Sequence, residues 1–286
     1  MSVVETCVVP SPTGELLVDV FRPTSTGNRC GIIFFHGGGW RALSREVMHV
    51  YAQPMAELGF VGLAADYRLL GEAPWPAQIH DVKRFIRWAR TNADQLGIDP
   101  ERIVLWGASA GAHLSLLAAG TPSDAFGDDS NDPDAASDDV AAVIALFPPT
   151  GFHHGEPTER YLASGNTLLG EGYDAPAAHR ASPISHVGPD FPPTLLLHGT
   201  DDHIVSHRHS EVMFEALREA GASVDLHLFH GHDHEFVAIP SVLRRVAAEA
   251  AYFIDRFVID PEQHRAEAEE FSLFARRAAE ERRRHQ

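Results

Sequence analysis

Cysteine is scarce in this sequence. Its 286 residues include two cysteines, Cys7 and Cys30, and neither belongs to a Cys-x-x-Cys pair. A cysteine-based zinc knuckle is therefore excluded, and a disulfide framework, which needs several paired cysteines, is not indicated. We expect two ordinary reduced thiols.

Long apolar runs and basic charge are lacking as well. No apolar run approaches the roughly 20 residues that span a bilayer, and the N-terminal segment MSVVETCVVPSPTGE has neither the basic start nor the apolar core of a signal peptide. Lysine and arginine total 23 against 40 aspartates and glutamates, which gives a net charge of −17. Nucleic acids and anionic membranes attract basic surfaces. We therefore expect a cytoplasmic protein with no nucleic-acid and no membrane partner.

The sequence does have enough apolar residues for a large core, and they form short strands that alternate with helical patterns. Hydrophobic residues make up 44% of the chain. We predict strands at 16–21, 32–35, 60–65, 102–106, 141–147, 194–198 and 224–229. Helical periodicity follows at 78–96, 206–220 and 240–257. This alternation predicts an α/β fold with a mostly parallel central sheet and helices on both faces.

Two segments do not follow the alternation. Residues 121–139 are rich in Asp, Ser and Pro, which predicts an exposed, mobile loop. Residues 148–193 contain many Gly, Pro and His residues. An insertion of that length between two strands is more often a functional loop than a simple connection, so we expect a lid or substrate loop there.

The strand at 102–106 runs into Gly107-Ala108-Ser109-Ala110-Gly111, and a helical pattern follows at once. Small residues on both sides of Ser109 permit a sharp strand-to-helix turn, which presents the serine hydroxyl above the sheet and at the helix N-terminus. The pattern predicts a nucleophile. The alternative is a serine that only caps the helix.

A serine nucleophile needs a base, and the base needs a carboxylate that orients it. The candidate bases His230, His232 and His234 follow the last predicted strand, with His234 furthest into the loop. Their spacing also suggests a metal site, although no carboxylate or cysteine is arranged with them. Asp201 and Asp202 follow the preceding strand, and both remain open as the acid. The order serine, aspartate, histidine is that of α/β-hydrolases.

Three glycines follow the strand at 32–35, in the stretch His36–Trp40. Attack on an ester carbonyl creates an oxyanion, which needs preorganised N–H donors that no side chain blocks. We predict an oxyanion hole formed by the N–H groups of Gly38, Gly39 and Ala110. The stretch lacks the glycine spacing of a phosphate-binding loop.

Together these pieces resemble the serine esterases of the α/β-hydrolase fold, in the hormone-sensitive-lipase-like group, and above all its bacterial acetyl/feruloyl-esterase-like (BD-FAE-like) branch. The matching stretches, within about 30–257, are His36–Trp40, Asp66–Leu69, Trp75–Ala77 with Asp81, Gly107–Gly111, Ser182–Ile184, Pro192–Pro193 and His198–Asp202. The resemblance implies that Asp202, four residues after the histidine of its motif, is the acid that orients His234.

The chain departs from the family pattern at two positions and in its N-terminal part. Glu235 and Ala112 stand where the family has a small residue after the base and a second glycine after the elbow. The glycine loop starts at residue 36, whereas a longer preceding segment builds a cap in the lipase-like branch. The resemblance thus implies a reduced or absent cap, with any lid contributed by 148–193. Candidate pocket residues are Trp40, His153 and His154.

The activity that the resemblance implies is that of a serine carboxylesterase. Its substrates would be small-molecule esters with small acyl groups, cleaved through an acyl-enzyme without a cofactor or metal. An amide hydrolase with the same triad, such as an aryl formamidase, is an open alternative. A non-enzymatic ligand receptor on this fold is a remoter one, because such a receptor is expected to have lost part of the triad.

Residues 260–286 lie beyond the resemblance. Their Ala, Glu and Arg content favours a helical tail that begins at Asp260-Pro261. One face carries Phe271, Phe274, Ala275 and Ala278. We expect a catalytic domain at 1–259 and a tail that packs on it, with a homodimer joined through the tail as the alternative.

Overall fold

The structure of the chain is a computed structural model. The structure describes residues 4–11, 14–24, 27–122, 125–126, 136–152, 159–272, 276–277 and 282–283.

An eight-stranded sheet forms the centre of the described part of the chain. Its strands are β1 (Val4–Ser11), β2 (Gly14–Phe21), β3 (Gly31–Phe35), β4 (Val61–Ala65), β5 (Ile103–Ala108), β6 (Ala142–Leu146), β7 (Thr194–Gly199) and β8 (Val224–Phe229). They lie in the order β1-β2-β4-β3-β5-β6-β7-β8. Strand β2 is antiparallel to both of its neighbours, and β3 to β8 pair in parallel. The predicted mostly parallel α/β sheet is confirmed.

The helices cover both faces of this sheet. They are α1 (His49–Glu57), α2 (Ala77–Thr91), α3 (Ala93–Leu96), α4 (Ala110–Gly120), α5 (Glu159–Leu169), α6 (Ala175–Ala181), α7 (Arg208–Ala220), α8 (Pro240–Ile254) and α9 (Pro261–Phe271). On one face α2, α4 and α7 pack on side chains such as Ile33 and Leu105. On the other, α1 and α8 pack on Phe34 and Trp106. Alternate residues of one strand thus enter different cores, which explains why β3 to β6 are apolar throughout.

Several elements differ from the sequence-based prediction. Strand β1 was not predicted, because its mixed polar and apolar residues give no clear strand pattern. It is ordered by its hydrogen bonds to β2 at the edge of the sheet. The helix expected at 78–96 ends at Thr91 and resumes as α3. Helix α1 was also missed, because Pro54 lies inside it and interrupts the usual helical signal.

The two segments outside the alternation behave differently from each other. The end of 121–139 is anchored rather than exposed, since Asp138 is buried and accepts a hydrogen bond from Arg87 Nη1 at 2.9 Å. The expectation of a wholly exposed loop is therefore corrected. The buried side chains of Lys83 and Arg87 form ion pairs with Asp138, just before the chain enters β6. Within 148–193, α5 and α6 precede a short 3₁₀ turn at Pro183–His186. Residues 153–158 lie outside the described residues.

The C-terminal helix α9 follows a π-helical turn at Asp255–Ile259. The Asp260 side chain caps it by accepting from Gln263 N–H at 3.2 Å, and His264 Nε2 lies 2.8 Å from Asp255 Oδ2. No residue of α9 is buried. The apolar positions Phe274, Ala275 and Ala278, predicted for the tail, lie outside the described residues.

Candidate active site

The sharp turn between β5 and α4 carries Ser109. Its backbone adopts φ 53° and ψ −114°, outside the regions that L-residues prefer. Its carbonyl accepts from His113 N–H at 3.0 Å, so the first turn of α4 starts directly at the serine. A serine held in this strained turn presents its hydroxyl at the carboxyl edge of the parallel strands.

Two glycines make this turn sterically feasible. A Cβ on Gly107 would lie 2.3 Å from the Gly111 carbonyl oxygen. A Cβ on Gly111 would lie 2.1 Å from the Phe35 carbonyl oxygen. Both distances are far inside van der Waals contact and involve backbone atoms, which cannot move aside cheaply. Close packing of helix on strand therefore explains the glycines of the G-x-S-x-G stretch.

Ser109, His234 and Asp202 form a chain of two hydrogen bonds. The loops after β7 and β8 bring Asp202 and His234 to the end of β5. His234 Nε2 lies 3.0 Å from Ser109 Oγ, and His234 Nδ1 lies 2.6 Å from Asp202 Oδ2. Since Asp202 accepts, the network assigns the Nδ1–H tautomer, which leaves Nε2 free to accept the serine proton. Phe147 packs against the imidazole, with ring centroids 4.4 Å apart.

Asp202 is held as a carboxylate by several donors. Burial by itself raises the pKa of Asp202, but hydrogen bonds from His198 and His234 and the backbone N–H of Val205 outweigh it, so the pKa lies well below its usual range. Its Oδ1 accepts the N–H groups of Ile204 and Val205, each at 2.8 Å. The imidazole therefore faces a fully formed negative charge.

The other candidate acid and bases lie elsewhere. Asp201 is exposed, and its carboxylate accepts from Thr200 Oγ1 at 3.0 Å. His230 is exposed, and His232 Nδ1 lies 3.0 Å from the His230 carbonyl oxygen. In the part of the chain that the structure covers, no three His, Cys, Asp or Glu side chains converge as metal ligands would.

The glycine loop after β3 is fixed through its carbonyl groups. Tyr67 O–H donates to the His36 carbonyl oxygen at 3.0 Å and lies 3.3 Å from the Gly37 carbonyl oxygen. The Gly37 carbonyl oxygen also accepts a hydrogen bond from His36 Nδ1 at 2.8 Å. The Gly38 carbonyl accepts N–H groups from Arg41 and Ala42, each at 3.1 Å. In a trans peptide the N–H points away from the preceding carbonyl. The N–H groups of Gly38 and Gly39 are thus turned away from these partners.

The predicted third donor, Ala110, is the first residue of α4. An N–H in the first turn of a helix has no acceptor within the helix and lies at the positive end of its dipole. Gly37 brings the glycine loop close to this turn, because a Cβ there would lie 3.2 Å from Ser109 Cβ. Gly38, Gly39 and Ala110 therefore border the same space as Ser109.

That space is a cleft of about 360 Å³. Its walls come from the glycine loop, the elbow, α5 and the loops after β6, β7 and β8. The lining residues are Gly38, Gly39, Trp40, Ser109, Ala110, Pro149, Ser164, Thr167, Ile204, Val205, His234 and Glu235. Two of these, Ser164 and Thr167, belong to α5, within the segment expected to supply a lid. His153 and His154, expected to line the pocket, lie outside the described residues.

Trp40 both borders the cleft and packs behind it. Its side chain is buried and meets His113 edge to face, with ring centroids 5.2 Å apart. Burial lowers the pKa of His113 to about 4, so this ring is neutral near pH 7. His113 Nε2 lies 2.7 Å from the Ala181 carbonyl, which ties α4 to α6 behind the cleft.

Three side chains that support this arrangement were not singled out from the sequence. His198 lies behind Asp202, Phe147 lies against His234, and Tyr67 holds the glycine loop. His198 and Tyr67 occur in the stretches that carry the family resemblance. Phe147 offered no sequence signal beyond its place at the end of a predicted strand.

The geometry suits nucleophilic acyl transfer. Ser109 Oγ lies 3.0 Å from His234 Nε2, His234 Nδ1 lies 2.6 Å from Asp202, and Gly38, Gly39 and Ala110 line the cleft beside Ser109. These are the parts needed to form and stabilise a tetrahedral oxyanion. None of the described helices is long and apolar enough to cross a bilayer.

Comparisons with known proteins point to the same chemistry. The BD-FAE family model matches residues 18–217. Esterase LipQ of Mycobacterium tuberculosis is 32% identical over 82% of this chain and 58% of LipQ. Esterase LipC of the same organism is 32% identical over 72% of this chain and 53% of LipC. The chain thus spans little more than half the length of these curated relatives.

Solved structures of a thermophilic esterase from Thermogutta terrifontis, Est2, are also similar. The butyrate-bound form has a TM-score of 0.77 and 25% identity, covering 90% of this chain and 95% of Est2. The form phosphonylated by sarin also has a TM-score of 0.77, with 26% identity over the same shares of both chains.

Proposed function

Because the chain belongs to the BD-FAE family, in the hormone-sensitive-lipase-like group of α/β-hydrolase serine esterases, we propose that it is a carboxylesterase whose catalytic residues are Ser109, His234 and Asp202. The observation that carries this proposal is the pair of hydrogen bonds at 2.6 and 3.0 Å that joins the three side chains. The named esterases among its relatives support the reaction class.

In the first half of the reaction, Ser109 Oγ attacks the ester carbonyl carbon. His234 Nε2, 3.0 Å away, takes the serine proton as the new C–O bond forms. Asp202 keeps the imidazole in the correct tautomer and stabilises the imidazolium. The carbonyl oxygen becomes an oxyanion, for which the N–H groups of Gly38, Gly39 and Ala110 are the proposed donors.

The first half ends when the tetrahedral intermediate collapses. His234 gives its proton to the leaving alcohol oxygen, and an acyl-enzyme ester on Ser109 remains. In the second half, water that enters the cleft passes a proton to His234 and attacks the acyl carbon, which forms a second tetrahedral intermediate. When this intermediate collapses, the bond between the acyl carbon and Ser109 Oγ breaks, His234 returns its proton to Ser109 Oγ, and the acid leaves.

We further propose that short acyl groups are preferred. The cleft of about 360 Å³ must hold both the acyl and the alcohol part of the ester. A methylene adds about 0.8 kcal/mol only when it is truly buried, so a long chain that extends into solvent gains little. The similar esterase from Thermogutta terrifontis has been solved with butyrate and with propionate, which supports the same range.

Labelling with an organophosphate tests the nucleophile. The similar esterase from Thermogutta terrifontis has been solved after phosphorylation by paraoxon. We expect paraoxon to inactivate this protein and to add one diethylphosphoryl group, which peptide mass spectrometry locates on Ser109. The Ser109→Ala variant should take up no label and lose several orders of magnitude in kcat. Substantial ester hydrolysis by that variant would overturn the proposal.

A panel of p-nitrophenyl esters tests the acyl preference. We expect kcat/KM for acetyl to butyryl esters to exceed that for octanoyl and longer esters. A value that rises steadily beyond eight carbons would contradict the small-acyl proposal and would leave the carboxylesterase proposal standing.

A further inference from the structure

Glu235, directly after the proposed base, has a fixed backbone. It adopts the left-handed conformation, with φ 59°, and begins the short 3₁₀ turn Phe236–Ala238. Its carbonyl accepts from Ala238 N–H at 3.0 Å, and Phe236 and Val237 are buried beneath the turn. The Cα of Glu235 is therefore held firmly at the cleft.

Glu235 is one of the residues that line the cleft, and it is exposed. The structure shows it with no ion pair or side-chain hydrogen bond to any residue within the described ranges. Its neighbour Asp233 is engaged, because it accepts from the N–H groups of His203 and His234 at 2.9 and 2.7 Å. Burial raises the pKa of Tyr51 to about 12, and the charge of Glu235 adds to that rise.

Charge around the cleft is unevenly distributed. Among the described residues that line it, the ionisable ones are Glu235 and His234. The nearby cation Arg41 is held at the α5 wall, where its Nη2 donates to the Thr167 carbonyl oxygen at 3.4 Å. The chain as a whole carries a net charge of −17, which adds a negative long-range field.

The reaction fixes which part of an ester meets Glu235. His234 must give its proton to the leaving oxygen, so the alcohol lies on the His234 side of the cleft. Glu235 follows His234 directly. Ile204, on the loop after β7, also lines the cleft and is 62% exposed. On the alcohol side, the described residues therefore combine a carboxylate that forms no ion pair with any of them and an exposed apolar side chain.

We propose that Glu235 is a specificity residue that selects esters whose alcohol carries a cationic group, such as amino alcohols and quaternary ammonium alcohols. The inference rests on the proposed esterase function and names the substrate class of the same site. An alkylated cation matches both features, because its charge faces Glu235 while its carbon atoms cover Ile204. The family pattern has a small residue at this position, so the proposed preference for cationic alcohols is specific to this chain and not a general property of the family.

The test compares two esters of the same shape. Choline acetate carries a quaternary nitrogen, and 3,3-dimethylbutyl acetate carries a neutral carbon in its place. Acid release by the full chain gives kcat/KM for each, and the readout is the cationic-to-neutral ratio. Both esters use the same Ser109 and His234, so any change in the protonation of the base cancels in this ratio.

We expect the wild-type ratio to fall roughly three- to tenfold in Glu235→Gln, as a single charge pair across a solvated cleft would give. It should fall further in Glu235→Lys. Added salt should lower the wild-type ratio more than that of Glu235→Gln. Glu219→Gln is the matched control. Glu219 is an exposed carboxylate in the last turn of α7, just before β8 begins and so at the amino ends of the parallel strands, whereas the cleft lies at their carboxyl ends. Its ratio should equal that of the wild type.

The outcomes separate the two proposals. If neither acetate ester nor any p-nitrophenyl ester is hydrolysed, the esterase function fails and this inference falls with it. If both acetates are hydrolysed but Glu235→Gln leaves the ratio unchanged, the esterase function stands and the role of Glu235 is overturned.

Discussion

His198 lies behind Asp202, with its Nε2 3.2 Å from the same Oδ2 oxygen that faces His234. The ring is fully buried, and its Nε2 is also 2.9 Å from the Val205 carbonyl, while its Nδ1 is 2.8 Å from Ser210 Oγ. Both neighbours of Nε2 are acceptors, so the network assigns the proton to Nε2 and lets Ser210 donate to Nδ1. His198 thus connects α7 to the proposed acid and acts as a positioning residue.

Replacement of His198 should reduce activity through Asp202. We expect His198→Leu to lower kcat/KM roughly ten- to a hundredfold, because a hydrogen bond to a buried carboxylate is lost. His198→Gln, whose amide can donate at a similar place, should recover much of the loss. Circular dichroism checks that both variants fold. Equal activity of the Leu and Gln variants would show that donation to Asp202 is unimportant.

The lowered pKa of Asp202 predicts a pH-dependent contribution to stability. The folded-state pKa lies below the value of about 3.9 for an unfolded aspartate, so ionisation of Asp202 stabilises the fold above about pH 4. That contribution is lost as the pH falls through the folded-state pKa. In urea unfolding, the free energy of the wild type minus that of Asp202→Asn should therefore be larger at about pH 6 than at about pH 3.5.

Asp201→Asn is the control for this measurement. Asp201 is the adjacent residue and is exposed, so its substitution should give a difference that changes less with pH. The same pair separates the two aspartates in catalysis. Asp202→Asn should lose about three to four orders of magnitude in kcat, and Asp201→Asn should remain close to the wild type. Equal behaviour of the two variants would contradict both expectations.

Tyr67 should affect catalysis through the glycine loop. Its hydroxyl binds the carbonyl groups of His36 and Gly37, which directly precede the proposed oxyanion donor Gly38. We expect Tyr67→Phe to lower kcat about tenfold with little change in KM, because oxyanion contacts strengthen in the transition state. Tyr252→Phe, at an exposed position of α8, should change neither constant. A Tyr67→Phe variant that changes KM alone would assign Tyr67 to substrate binding instead.

Gly111 should be irreplaceable for steric reasons. Alanine favours a helix over glycine by up to about 1 kcal/mol, but here its Cβ would lie 2.1 Å from the Phe35 carbonyl oxygen. We expect the clash to dominate and Gly111→Ala to lower the free energy of unfolding by about 1–3 kcal/mol. Gly188→Ala is the control, since nothing lies within 4 Å of its Cβ position. Denaturant titration of both variants measures the difference, and equal stability would show that the elbow relaxes around the methyl group.

Much of the fold was predictable because the signals are local. A strand buried on both faces is mainly apolar, so β3 to β6 stand out as short apolar runs. Helical periodicity between these runs predicts crossovers and hence parallel pairing. Strand β1 gave no comparable signal, because its order comes from pairing with β2. The anchoring of Asp138 by Arg87 was equally hidden, since 51 residues separate the two.

For the candidate site, the sequence by itself determined which residue types occur at which strand ends. The glycines at 107 and 111, the serine between them, and the acids and histidines after β7 and β8 are all sequence features. From spacing alone, Asp201 and Asp202 were equivalent; the family resemblance favoured Asp202, and the tertiary structure shows the physical difference between them. It turns Asp202 inward to His234 and His198 and leaves Asp201 in solvent. The physical reason is that a hydrogen bond within 3 Å depends on the relative placement of three strand ends, which packing of the whole sheet fixes and no short stretch encodes.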